Sequence, residues 1–172
     1  MNYSDIKTPD VANGHGIRVS IFVSGCRHHC KGCFNKETWD FNYGKPFTQE
    51  TIDYILKLME PTYIKGITFL GGEPMEPVNQ EGLLLLAKAV KEKYPEKTIW
   101  CYTGFLFDRD ILNNMYKNSD TTKELVNLLD VVVDGKFEES LKDVRLKFKG
   151  SSNQRTIDVK KTLETGKIEI LW

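Results

Sequence analysis

Ile17-Arg-Val-Ser-Ile-Phe-Val-Ser-Gly-Cys-Arg-His-His-Cys-Lys-Gly-Cys-Phe-Asn35 joins an alternating apolar run directly to three cysteines. The β-branched and aromatic residues between Ile17 and Ser24 predict a strand. Cys26, Cys30 and Cys33 then fall within eight consecutive residues, at gaps of three and two. Disulfide pairing cannot use three thiols, and a lone reactive thiol needs no such neighbours. Thiolates this close share a metal centre. A [4Fe–4S] cube takes four cysteine ligands, so three from one loop leave an iron open. The alternative is a structural zinc, completed by His28 or His29. Zinc sites of that kind join two separated ligand pairs to staple a small domain, whereas this chain is long enough for a core of its own. The spacing favours the cluster.

Downstream, strand, loop and helix recur with short connections. Thr48 caps a helix whose Ile52, Ile55, Leu56 and Met59 share one face, stopped by Pro61. Ile64 to Leu70 predicts a strand buried on both sides, ending in Gly71-Gly-Glu-Pro74. Asn79 caps a helix through Leu83, Leu86, Ala87 and Val90 to about Lys93. Thr98 to Tyr102 predicts a third strand, with Cys101 as a small core residue and Thr103-Gly104 at its end. Asp108 caps a helix through Ile111, Leu112 and Met115, and Thr121 to Leu129 forms another. Val131 to Val133 predicts a fourth strand, ending in Asp134-Gly-Lys136.

Such units imply parallel strands with right-handed crossovers. Four are too few for a closed eight-stranded barrel, so the expected fold is α/β: an open partial (β/α) barrel with a mostly parallel sheet. Residues 1–16, polar and carrying Asn13-Gly-His-Gly16, are expected to form a flexible entry loop. The chain from about residue 137 is expected to be irregular. Gly150-Ser-Ser-Asn-Gln154 reads as a polar loop, Ile157 to Leu163 and Ile168 to Trp172 as short apolar pieces. In parallel α/β folds, functional residues gather at the C-terminal ends of strands. The cysteine loop, Gly71 to Pro74, Thr103 and Asp134 all fall there.

The chain has 172 residues, the length of one domain, and a formal net charge of zero, which gives no bulk attraction to nucleic acid or an acidic membrane. Met1 leads into polar residues without the apolar stretch of a secretory signal, and no apolar run is long enough to span a bilayer. Free thiols suit a reducing cytoplasm.

With these motifs in place, the chain resembles the radical S-adenosylmethionine enzymes. Within them, Phe22 to Lys36 is similar to the activating proteins of anaerobic ribonucleoside-triphosphate reductase. Asn13-Gly-His-Gly16, Gly71 to Pro74, Tyr102-Thr-Gly104, Val133-Asp-Gly-Lys-Phe137 and Gly150 to Gln154 extend the match. The resemblance implies one radical S-adenosylmethionine domain over residues 1–172. Cys26, Cys30 and Cys33 would be the cluster ligands. Gly71, Gly72, Glu73 and Pro74 would bind the amino group of S-adenosylmethionine, and Gly32, Cys33 and Phe34 its adenine. Many relatives carry an aromatic residue before the third cysteine; here that position is Gly32, and Phe34 follows instead. Thr103, Asp134 and Lys136 would also contact the cofactor. The activity implied is reductive cleavage of S-adenosylmethionine to methionine and a 5′-deoxyadenosyl radical. That radical would take a hydrogen from a glycine of the large reductase subunit, with a flavodoxin-type protein as electron donor. Activation of another glycyl-radical enzyme, small-molecule radical chemistry and a zinc-stabilised binding module are the alternatives.

Overall fold

The computed structural model describes residues 1–171, so Trp172, at the end of the last apolar piece, lies outside the described residues. Four strands run parallel in chain order: β2 (Ile17–Val23), β4 (Ile64–Gly71), β5 (Thr98–Tyr102) and β6 (Val131–Asp134). They form the middle of a seven-stranded sheet, flanked by β1 (Asn2–Asp10) and β3 (Lys45–Pro46) on one side and β7 (Arg155–Asp158) on the other.

Alternation along these strands sorts side chains onto two unlike faces. Val19, Ile21, Val23, Ile67, Phe69, Ile99, Cys101 and Val132 join the main core. Helices α1 (Gln49–Leu58), α2 (Pro77–Lys93) and α4 (Asp120–Leu128) supply its other half through Ile52, Leu83, Leu86 and Leu125. Between α2 and α4 lie a π-helical segment, Phe107–Met115, and a single turn, α3 (Tyr116–Asn118). The last helix is α5 (Val159–Thr165).

The opposite face is built differently. Arg18 is buried there and donates to Thr68 Oγ1 at 2.8 Å, Thr98 Oγ1 at 3.0 Å and the Ile67 and Thr98 carbonyls. Its guanidinium also stands over the Trp100 ring, and burial pulls its pKa down to about 10. Trp100, Val131 and Val133 form a small second cluster on which Tyr102 and Phe148 pack.

This architecture corrects the expected fold. It is α/β overall, but the sheet is mixed: of its six pairings among the described residues, three are parallel and three antiparallel. The expectation of an open partial barrel with a mostly parallel sheet therefore does not hold. The cause lies at the edges. Residues expected to be a flexible entry loop form β1, antiparallel to β2. A strand near the rim, paired outward only at Asn2 and Tyr3 with the two-residue β3 and largely wet along its length, needs little apolar content, so β1 carried no apolar alternation to find. At the other edge, the apolar piece Ile157 to Leu163 divides into the end of β7 and the start of α5.

Candidate functional site

The parallel strands bring four loops to one edge of the sheet. These are the cysteine loop after β2, Gly71–Pro74 after β4, Thr103-Gly104 after β5 and Gly135–Phe137 after β6. They enclose a cavity of about 360 Å³ to which Cys26, Cys30 and Cys33 all contribute.

All four cysteines are free thiols. Cys26 is buried, and burial pushes its pKa up to about 11 even though the nearby amides of His28 and His29 favour the thiolate. Burial also raises Cys30, against the opposite pull of the Phe137 amide. The Cys33 amide closes a turn onto the Cys30 carbonyl at 3.1 Å, and Asn35 N–H donates to Cys33 Sγ at 3.4 Å. Among the described residues, no three His, Cys, Asp or Glu side chains meet closely enough to hold one metal ion. Cys101 lies apart, 1% exposed in the main core.

The loop after β4 is tied to the cysteine loop by backbone bonds. Gly72 N–H donates to Val23 O at 2.7 Å and Glu73 N–H to Gly25 O at 2.8 Å. Gly72 must be glycine for this fit, because a Cβ there would stand within 3.0 Å of the Gly25, Thr38 and Val23 carbonyl oxygens.

Glu73 is 1% exposed, and both its oxygens are fully engaged. Oε1 lies 2.8 Å from His28 Nε2 and accepts Gly104 N–H at 2.7 Å. Oε2 accepts Met75 N–H at 2.7 Å and the Thr103 hydroxyl at 2.9 Å. A carboxylate offers about four lone-pair sites, and four donors occupy them. Glu73 thus joins the loops after β2, β4 and β5. His28, a zinc ligand in the alternative reading and otherwise a loop residue beside the cluster, is part of this knot and packs edge-on against Phe105.

The remaining candidates divide. Phe34, Gly71, Gly72 and Thr103 line the cavity with the cysteines, whereas Gly32, Pro74 and Asp134 are not among its lining residues. Asp134 is fully buried, its carboxylate taken by Arg155 at 2.5 and 3.0 Å and by Phe107 N–H at 2.7 Å. Lys136 lines a neighbouring crevice with His28 and Asn153. Phe34 is 65% exposed, tilted against Phe137 at 5.2 Å, with Lys142 over its ring. Sequence reasoning did not single out Trp39 or Phe148, both of which line the cavity. The Trp39 indole N–H is buried without a hydrogen-bond partner. A Trp six positions beyond the last cysteine carries no sequence signal of that.

Comparison with known proteins matches residues 12–157 to the family model described as a 4Fe-4S single cluster domain. The anaerobic ribonucleoside-triphosphate reductase-activating protein of Escherichia coli strain K12 is 42% identical over 156 residues, covering 90% of this chain and 96% of that protein. The protein of the same name from Enterobacteria phage T4 is 40% identical over 155 residues, covering 90% and 92%. The one from Vibrio cholerae is 40% identical over 156 residues, covering 90% and 96%.

Proposed function

This chain belongs to the family of anaerobic ribonucleoside-triphosphate reductase-activating proteins, and from that we propose that it installs a glycyl radical in its reductase. The observation that carries the reading is three free thiols on one cavity, beside a glycine-rich loop at the C-terminal edge of parallel strands.

The residues suit a [4Fe–4S] cluster. Cys26, Cys30 and Cys33 would hold three irons, and a bound cation favours the thiolates that burial otherwise disfavours. The unpartnered Trp39 N–H is a donor suited to a sulfur acceptor. A cavity of about 360 Å³ also lies in the range of small-ligand sites, roughly 300–1,000 Å³. When bound, the cluster supplies the electron that cleaves S-adenosylmethionine to methionine and a 5′-deoxyadenosyl radical, which takes hydrogen from a reductase glycine Cα.

The chain's own residues bind and orient. The backbone of Gly71 and Gly72 would bind the methionine end, and Phe34 with its neighbours Gly32 and Cys33 would bind the adenine. Glu73, with Thr103 and His28, ties together the three strand ends that would carry the cofactor. Asp134 anchors its loop through Arg155, and Lys136 two residues on lines the neighbouring crevice. We read residues 1–172 as one radical S-adenosylmethionine domain working in the cytoplasm with a flavodoxin-type donor. Among the described residues no helix is long and apolar enough to cross a membrane.

The test is anaerobic incubation of the iron- and sulfide-loaded protein with its reductase, S-adenosylmethionine and reductant. Electron paramagnetic resonance is expected to show a glycyl doublet on the reductase. A colourless protein that takes up zinc and no iron, or a loaded protein that yields no doublet, would overturn the reading.

A further inference from the structure

Three side chains of Gly150-Ser-Ser-Asn-Gln154 grip one short length of backbone at the end of β6. Gln154 Nε2 donates to Gly135 O at 2.9 Å, and Asn153 Nδ2 donates to Lys136 O at 2.8 Å. Ser151, fully buried, accepts the Glu138 amide on its hydroxyl at 3.2 Å. Gln154 is itself pinned at its other end, since Oε1 accepts the Gly150 and Ser151 amides at 2.9 and 3.2 Å. Gly150 brings the motif close under the Phe137 ring: a Cβ there would come 3.0 Å from it.

Between the gripped residues stands Phe137. Its amide favours the charged form of the Cys30 sulfur, its ring tilts against Phe34 on the cysteine loop at 5.2 Å, and both rings line the cavity with Cys30. The motif therefore reaches Cys30 through one intervening backbone segment.

We propose that Ser151, Asn153 and Gln154 are positioning residues, holding residues 135–138 so that the Phe137 amide stays on the Cys30 sulfur. This rests on the reading of Cys30 as a cluster ligand. An N–H donor on a ligand sulfur favours the more negative, reduced state of an iron–sulfur centre and so raises its potential. The clamp keeps the cluster reducible.

The test uses Gln154→Glu, Asn153→Ala and, as a control, Ser152→Ala. Gln154→Glu keeps acceptors for the Gly150 and Ser151 amides and removes the donor to Gly135. Ser152 is exposed in the same motif. Hydrogen exchange is measured on the metal-free proteins, and reduction potentials on the loaded ones without S-adenosylmethionine or reductase. In the first two variants, amides 135–138 are expected to exchange at least about tenfold faster while β4 stays unchanged. Their potentials are expected to shift negative at full iron and sulfide content, with Ser152→Ala matching the wild type. Unchanged exchange overturns the proposal. So does faster exchange with an unmoved potential, because the motif would then be only a fold element. A wild-type protein that takes up no iron is the failure of the cluster reading itself, visible before any variant is made.

Discussion

Cys101 and Cys26 are both buried thiols, and the difference between them lies in what each faces. Cys101 points from the middle of β5 into the helix-covered core, whereas Cys26 opens onto the cavity beside Cys30 and Cys33. Replacing Cys26, Cys30 or Cys33 singly by Ala is therefore expected to abolish retention of a full iron and sulfide complement. Cys101→Ala should keep that complement and cost roughly 1 kcal/mol in urea unfolding. Cluster loss from Cys101→Ala alone would show that the ligands are wrongly assigned. Glu73 invites a second substitution. Glu73→Gln puts an amide NH2 where two donors already point, so it is expected to cost about 1–3 kcal/mol, read by thermal or urea melts. An unchanged melt would mean that the four-donor knot holds little together. The spacing of the cysteines was legible from sequence because ligands on one loop are close in sequence by necessity. The knot was not, because His28, Glu73, Thr103 and Gly104 meet only once three strands lie side by side.

Elements whose apolar residues alternate or recur were read almost to the residue, as with β5 at Thr98–Tyr102 and β2, which ends one residue before the expected Ser24. Helix starts were displaced where a capping residue type had other work. Asn79 sits inside α2, which begins at Pro77, and donates to the Ser24 and Glu73 carbonyls at 3.1 and 2.9 Å. Asp108 likewise lies inside the helical segment, where it pairs with Arg155. β1 was missed altogether, and its anchor yields a prediction. Asp10 ends β1 at 1% exposure and accepts Ser20 Oγ at 2.6 Å, Asn13 Nδ2 at 2.8 Å and Ala12 N–H at 2.9 Å. Burial pushes its pKa up, but these bonds outweigh it and hold the carboxyl below its ordinary range. A depressed folded pKa stabilises above the unfolded value, about 3.9, and the contribution is lost as pH falls through the folded value. Asp10→Asn should thus lower stability at pH 7 and flatten its decline below about pH 4. Parallel wild-type and variant profiles in that window would remove Asp10 from the account.

At the scale of the molecule, the four parallel strands were legible because buried strands must be apolar, and the mixed sheet was not because its edges need not be. The polar edges have a task of their own. β6 is a run of three valines, Val131, Val132 and Val133, all buried, and among the described residues its outer side is covered by pairing with β7. An open strand of that composition is a template for another chain. β7 closes that side and is itself covered by the chain's last described residues, with Asp158 N–H donating to Glu169 O at 2.9 Å and Leu171 N–H to Thr156 O at 2.7 Å, and Arg155 neutralises the buried Asp134 carboxylate inside it. A chain ending at Gln154 keeps the cysteine loop, the cavity and the motif beneath it but loses both protections. Removing the partner of a fully buried carboxylate costs at most about 3–5 kcal/mol, and less where the cation, like the 30% exposed Arg155, is partly screened by water. Such a chain is expected to elute as aggregates in size-exclusion chromatography and to gain β-signal with time in circular dichroism. Arg155→Met in the full chain separates the two effects: it should lower the melting temperature yet leave the elution volume at that of the wild type, because β7 still covers the valines. A truncated chain that stays monodisperse would show that the edge needs no cover, and the account of why this sheet is mixed would fall with it.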